Sequence, residues 1–325
     1  DYFVEKIFTD TKSPRLLTSQ VDVMGFSVSF EIDFLGIFDI LEKRSIPLKA
    51  KDRTEDHPIV FGGGPVLTAN PEPYCEFFDF IIIGDAENID TSIIDVIKAN
   101  KHLPKSEVLK MVADIKGIYV PSLTEYDEAK GVTKKGGELL SIEKFSAPLS
   151  KCISTPVLSE KSFFANTFVI EIVRGCPQRC GFCLASYLNL PARFCDYDQI
   201  IAGIDFGLKY TNKIALLGAL ITAHPRFDDI CRYILKRKED IPHLELSVSS
   251  LRADSISPVI IQTLVACGQK HSTIAIEAGS ERLRKLINKN LSEKQIFETV
   301  KTAYENGLKG LKIYAMVGHP TETKH

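Results

Sequence analysis

No stretch of the 325-residue sequence stays apolar over the length a bilayer demands of a helix. The longest apolar run, "FFDFIIIG" at 77–84, has the length of a buried strand. A surplus of one charge is also lacking. Forty Lys and Arg stand against 42 Asp and Glu, a net −2, so the bulk charge gives no indication of a nucleic-acid partner. No export signal precedes Asp1, and the missing initiator Met reads as a trimmed or partial chain. The glycine-rich "PIVFGGGP" at 58–65 lacks the Lys-Ser/Thr that a phosphate loop requires. What is present is a globular composition, 44% hydrophobic and 25% charged, at a length that suits one large α/β domain or two ordinary ones. Eight cysteines are spread unevenly. Their clustering among Gly, Pro and Arg, with no export signal, favours reduced thiols in a cytoplasmic protein over a disulfide framework.

Apolar patterning divides the chain. "VDVMGFSVSF" (21–30) reads as a strand, and "DFLGIFDILEKRSI" (33–46) as a helix with Phe34, Ile37, Phe38 and Leu41 on one face. "PIVFGGGP" and "FFDFIIIGDAENI" (77–89) are apolar strands running into glycine-containing loops. Residues 1–112 are therefore expected to form an open, Rossmann-like parallel α/β sheet. Residues 113–165, rich in turn residues and without a long period, read as a linker with short strands, and its Lys-Lys-Gly-Gly run as a solvated turn. From 166 to 325 a βα rhythm returns. Strands are expected at 167–175, 213–218, 244–250, 272–279 and 310–318, with helices near 196–210, 226–239, 256–267, 280–288 and 292–306. Repeated βα units build a partial (β/α) TIM-type barrel, whose sites sit at the C-terminal ends of its strands. The sequence stops just past the fifth strand, which reads as a barrel short of its closing strand.

The first of these strands runs into "VRGCPQRCGFCLAS" (173–186), where Cys176, Cys180 and Cys183 are spaced four and three apart. Structural zinc wants four protein ligands. Only three are local, and Cys195, twelve residues on, is a fourth in principle but belongs to no second CxxC knuckle. Three thiolates on a four-iron cluster would leave one iron open, and an open metal position marks catalysis. Cys75, Cys152, Cys231 and Cys267, standing alone, read as small core or surface residues.

The motif "GCPQRCGFC" after a first barrel strand resembles the radical S-adenosylmethionine superfamily. "STIAIEAGSERLRKLINKNLSE" and "LKGLKIYAMVGHPTET" support the likeness, and the N-terminal "PIVFGGGPVLTANPEP" and "FFDFIIIGDAEN" resemble the cobalamin-binding-type domain fused to one large subgroup. The resemblance implies a [4Fe-4S] cluster on Cys176, Cys180 and Cys183. It implies reductive cleavage of S-adenosylmethionine to a 5′-deoxyadenosyl radical that abstracts hydrogen from an unknown substrate. It also implies an electron donor such as a flavodoxin or ferredoxin. Arg179 would tune the cluster by its charge or simply face solvent.

By the same resemblance, Phe182 would lie near the adenine, and Gly218 in "LLGALITAH" stands where the family often has a Gly-Gly-Glu-like contact to the methionine amino group, here without the acid. Ser249, Ser250 and Arg252 suit ribose or carboxylate contacts, or a helix N-cap. Glu277 would contact ribose or the amino group, Arg282 would pair the methionine carboxylate, and Val317, with Met316 and Gly318, would meet adenine. His319 reads as a loop residue or a ligand. Domains of the N-terminal type usually carry Asp-x-His-x-x-Gly, whose His ligates cobalt. That motif is absent and His57 lacks the spacing, so cobalamin is left open but not favoured. A tRNA methylthiotransferase would want a second N-terminal cysteine set and a basic appendage, and only Cys75 is there. The missing Gly-Gly-Glu-like acid keeps a non-catalytic iron–sulfur sensing protein as an alternative, and three local thiols keep a zinc-stabilised module.

Overall fold

A computed structural model describes residues 21–87, 89–138, 140–155, 157–249 and 251–323. The first twenty residues of the expected N-terminal domain, and Ser250, lie outside the described residues. The chain divides into two compact units, Asp1–Ala147 and Pro148–His325.

In the first unit β1 (Val23–Ser27) leads into α1 (Asp33–Lys43), and β2 (Ile59–Gly63) into α2 (Pro65–Ala69). β3 (Phe80–Ile82), α3 (Ile89–Ala99), α4 (Lys105–Ala113) and β4 (Ile118–Tyr119) follow. The sheet runs β1-β2-β3-β4, parallel throughout the first three strands and antiparallel at β4. Period-two alternation gives it two apolar faces. Val60 and Ile81 pack with Phe34, Ile37, Ile40 and Leu41 of α1, while Ile59, Phe80 and Ile82 pack with α3 and α4. Each fully buried Ile or Phe of this kind contributes about 1.5–3 kcal/mol. α1 starts where Asp33 Oδ2 accepts the Ser29 and Phe30 N–H groups at 3.0 and 2.9 Å. Gly64 (φ +100°) turns the chain after β2 so tightly that a Cβ would lie 2.6 Å from the Val28 carbonyl oxygen, so the fold itself requires this glycine. A separate hairpin, β5 (Thr124–Asp127) and β6 (Gly131–Lys134), completes the unit, and the Lys-Lys-Gly-Gly run forms a largely exposed turn at its end.

The second unit opens with β7 (Ile153–Ser154), β8 (Phe168–Arg174), α5 (Leu184–Leu188) and β9 (Arg193–Phe194). Next come α6 (Tyr197–Gly207), β10 (Lys213–Gly218), α7 (Phe227–Asp240), β11 (Glu245–Val248) and α8 (Pro258–Ala266). β12 (His271–Glu277), α9 (Glu281–Leu286), α10 (Glu293–Glu305) and β13 (Gly310–Ala315) end it. β8, β10 and β11 pair in parallel, β12 and β13 pair in parallel, and a parallel bridge from Leu251 to Ile274 links the two sets. The five strands therefore follow one another as βα units of a partial barrel, at the positions the sequence pattern predicts. Its core joins Ile170 and Ile172 of β8 to Ile200 and Ile204 of α6 and Ile230 and Ile234 of α7, residues spaced four apart on the inner face of each helix. Side-chain caps set the helix starts: Ser257 before α8, Ser280 before α9, and a Ser292–Gln295 capping box before α10.

Candidate functional site

β8 delivers the chain to Gly175 at the C-terminal end of the strand. Gly175 has φ +85°, and a Cβ there would sit 2.2 Å from the Asn189 carbonyl oxygen, so no other residue fits this turn. Three thiols follow. Cys176 and Cys183 are half-buried and Cys180 is buried. The Cys183 N–H donates to the Cys180 carbonyl at 3.0 Å, and Cys183 caps α5, where its carbonyl accepts from the Ser186 hydroxyl at 2.9 Å. Burial pushes the Cys176 thiol up, and Cys180 and Cys183 add to the rise as like charges, while the Gln178 backbone and Arg252 pull it down.

Among the described residues no three His, Cys, Asp or Glu side chains stand gathered as a metal-holding group. The chemistry of the trio nevertheless fits an iron–sulfur centre. Cys180 and Cys183 raise the proton affinity of the Cys176 thiol, and a metal centre would relieve this by taking the place of the proton. A second observation supports the fit: a buried cation faces one of the sulfurs, with Arg252 Nη1 3.9 Å from Cys180 Sγ.

The loop is braced from behind by the turn between α9 and α10. The Gly181 N–H donates to the Ile287 carbonyl at 2.9 Å, and Asn288 Nδ2 donates to the Arg179 carbonyl at 2.7 Å. The Arg252 guanidinium donates to the Lys289 carbonyl. That turn is held in its own right by Arg284, 1% exposed, whose guanidinium donates to the carbonyls of Leu291, Ala278 and Gly279 at 2.6, 2.9 and 2.9 Å. The end of β12 and the cysteine loop thus share one support. Sequence reading did not single out Lys289, Asn288 or Arg284. A cationic or amide side chain in a helix-to-helix turn carries no local mark of what it will meet.

The other expected residues are placed as follows. Phe182 lies in the loop with 43% of its surface exposed. Gly218 ends β10 at a register shift against β8, and its carbonyl accepts from the Ser249 hydroxyl at 3.2 Å, so the ends of two strands meet there. Glu277 ends β12 in the left-handed region (φ +67°), and its Oε1 lies 3.1 Å from Lys289 Nζ. Arg282, in the first turn of α9, donates to the hydroxyl and carbonyl of Thr321 at 2.9 and 2.8 Å. Val317 lies two residues past β13 and is 91% exposed. His319 Nε2 is 3.5 Å from the Glu277 carbonyl oxygen. Arg179 is exposed and serves through its carbonyl, which also accepts from Tyr187 Oη at 3.0 Å.

Cys195 is not available as a fourth ligand. It is bonded to Cys152 with Cα atoms 5.6 Å apart, which overturns the reading of Cys152 as an isolated thiol. β7 and β9 both pair with β8, at Ile170–Glu171 and Val173–Arg174, and the disulfide ties these two short strands together. Forty-three residues of separation hid the pairing from a reading by spacing. Cys231 and Cys267 are core residues, as expected.

In the first unit, His57 precedes β2 and its Nδ1 accepts the Thr54 N–H at 3.0 Å. It therefore lies at the N-terminal end of the parallel strands, away from the C-terminal edge where open α/β sheets bind ligands.

The sequence matches two family models, "Radical SAM proteins, N-terminal" over residues 7–121 and "Radical SAM superfamily" over residues 170–325. It is 31% identical over 306 residues to an uncharacterized protein of Methanocaldococcus jannaschii, MJ0966, across 93% of this chain and 60% of that one. It is 24% identical over 318 residues to PH0819 of Pyrococcus horikoshii, named an uncharacterized methyltransferase, across 93% of this chain and 64% of that one. The fold is similar to that of OxsB, a cobalamin-dependent S-adenosylmethionine radical enzyme solved with aqua-cobalamin and S-adenosylmethionine bound. The TM-score is 0.63 at 19% identity, over 93% of this chain and 42% of that one. The chain thus spans about three fifths of the length of the curated relatives it matches.

Proposed function

The chain belongs to the radical S-adenosylmethionine superfamily, and we propose that it is an enzyme of that family whose [4Fe-4S] cluster is held by Cys176, Cys180 and Cys183. The observation that carries this reading is the trio itself: three thiols on one braced loop at the C-terminal end of the first barrel strand, with Cys180 out of solvent. A cluster held by these three thiols would supply one-electron reduction of the sulfonium of S-adenosylmethionine, the chemistry that would yield methionine and a 5′-deoxyadenosyl radical able to take hydrogen from a substrate.

The chain's own groups bind and orient. Phe182 offers an exposed ring face to adenine. Ser249 and the Gly218 carbonyl, already in contact, offer a hydroxyl and an acceptor to the ribose and the methionine amino group. Arg282 holds the segment after β13 through Thr321, and the Val317 backbone in that segment would meet adenine. Glu277 shapes the end of β12, with its carboxylate paired to Lys289 and its carbonyl accepting the Met316 N–H. The electron comes from a flavodoxin- or ferredoxin-like donor in the cytoplasm.

Among the downstream reactions, methyl transfer is favoured by the naming of PH0819, and the likeness to OxsB makes cobalamin a better candidate than the missing Asp-x-His-x-x-Gly motif suggested. His57, at the wrong end of the sheet, would not be the cobalt ligand. Gly64 is accounted for by its own turn and adds no support for a bound cofactor.

The test is anaerobic reconstitution with iron and sulfide, followed by dithionite and S-adenosylmethionine. Formation of 5′-deoxyadenosine that disappears in Cys180→Ala supports the reading. A chain that holds four irons and yields neither 5′-deoxyadenosine nor methyl transfer would point to an iron–sulfur sensing protein, and one zinc per chain without sulfide to a zinc-stabilised module. Desalting after incubation with hydroxocobalamin, read by visible absorbance, decides the second cofactor.

A further inference from the structure

We propose that Arg252 is a positioning residue that holds Cys180 and raises the electron affinity of a cluster bound there. The inference rests on the reading of the cysteine trio as a four-iron site. Arg252 follows β11 and is 6% exposed. Each part of its guanidinium has a separate neighbour. Nε lies 2.7 Å from Asp254 Oδ1, Nη2 donates to the Lys289 carbonyl, and Nη1 faces Cys180 Sγ at 3.9 Å. The planar fork is therefore held by one hydrogen bond, at Nη2, and one ion pair, at Nε, while Nη1 points at sulfur.

This placement has an electrostatic consequence. One-electron reduction adds a unit of negative charge to the cluster and its thiolates. A cation held out of water a few ångströms from one ligand favours the reduced state, and an N–H directed at a ligand sulfur acts in the same sense. Lys289 adds little, because its ammonium is paired with Glu277. The nearest opposing charge is Asp254, which partly compensates Arg252. Arg252 and Asp254 should therefore move the potential in opposite directions. Arg179, the arginine inside the loop, is exposed, and water screens its charge.

The experiment is a redox titration of the anaerobically reconstituted full chain, with dithionite as reductant and the reduced-cluster paramagnetic resonance signal as readout. Iron and sulfide are counted in every variant. Arg252→Gln is expected to lower the midpoint potential, Arg252→Lys to lie between it and the parent, and Asp254→Asn to raise it. A purely structural clamp would change stability and cluster content without this ordering. An Arg252→Gln protein with full iron and sulfide and an unshifted potential overturns the proposal, as does Asp254→Asn shifting downward. Should Arg252→Gln fail to assemble, Asp254→Asn and Arg252→Lys decide. A parent chain that binds no four-iron cluster removes the underlying reading instead, and the iron and sulfide count separates that failure from this one.

Discussion

Lys289 Nζ lies 3.1 Å from Glu277 Oε1, and the two side chains are only 9% and 11% exposed. The pair joins the end of β12 to the turn that braces the cysteine loop, because the Lys289 main chain is also what holds Arg252. Removing one partner leaves the other charge buried alone, which costs about 3–5 kcal/mol. Lys289→Met and Glu277→Gln are each expected to lower the unfolding free energy by that order in urea titrations, and Lys289→Met also to reduce iron retention. A loss under about 1 kcal/mol in both would mean the pair behaves as a solvated surface bridge.

Two glycines with nearly the same backbone angle should respond differently to alanine. Gly175 (φ +85°) would push a Cβ to 2.2 Å from the Asn189 carbonyl oxygen, whereas Gly131 (φ +80°) has nothing within 4 Å. Both substitutions carry the left-handed penalty of about 1–2 kcal/mol. Only Gly175→Ala must also displace backbone next to Cys176. It is expected to lose iron incorporation and to unfold at lower temperature than Gly131→Ala, which keeps its iron. Equal iron content in the two would show that the turn at Gly175 adapts freely.

The thiols can be counted. The sequence has eight cysteines and the structure leaves six free. Cluster-free chain, unfolded without reductant, should therefore react with six equivalents of a thiol reagent, and with eight after reduction. Cys152→Ser should add one reactive thiol, at position 195. Eight equivalents before reduction would place β7 and β9 against β8 by hydrogen bonding alone.

Alkaline pH should weaken the second unit's core. Burial pushes the Cys231 thiol up to about 12 and the Cys267 thiol up to about 11. Both folded values exceed the ~8.5 of a thiol in an unfolded chain. Their contribution to stability is then complete below about pH 8.5 and is lost as pH rises towards the folded values. For cluster-free chain, each thiol should add up to ~1.4 kcal/mol per pH unit to the fall in unfolding free energy above that point. Cys231→Ala, compared with the parent at pH 7 and pH 10, should show a shallower fall. Parallel slopes would mean the thiol ionises in place without opening the core.

Much of the second unit was legible in its residues. The apolar runs from "TFVIEIVRG" to "GLKIYAMVG" contain the five parallel strands, and the spacing of apolar residues placed the intervening helices. The buried strand in "FFDFIIIG" was legible for the same reason, since Phe80, Ile81 and Ile82 have no polar face to show. The short strands β7 and β9 were not marked in this way. Each is two residues long and exists because β8 offers it an edge.

The sequence by itself determined the order of elements, because periodicity and caps act within a turn or two of chain, and it set three thiols on one loop because their spacing is local. Tertiary structure alone decided what surrounds them. Arg252 meets Cys180 across 72 residues, Asn288 meets the Arg179 carbonyl across 109, and Cys152 meets Cys195 across 43. Such meetings follow from where successive βα crossovers return the chain. A charge or thiol is driven to find a partner only once packing has taken it out of water, and no local pattern records which partner that will be.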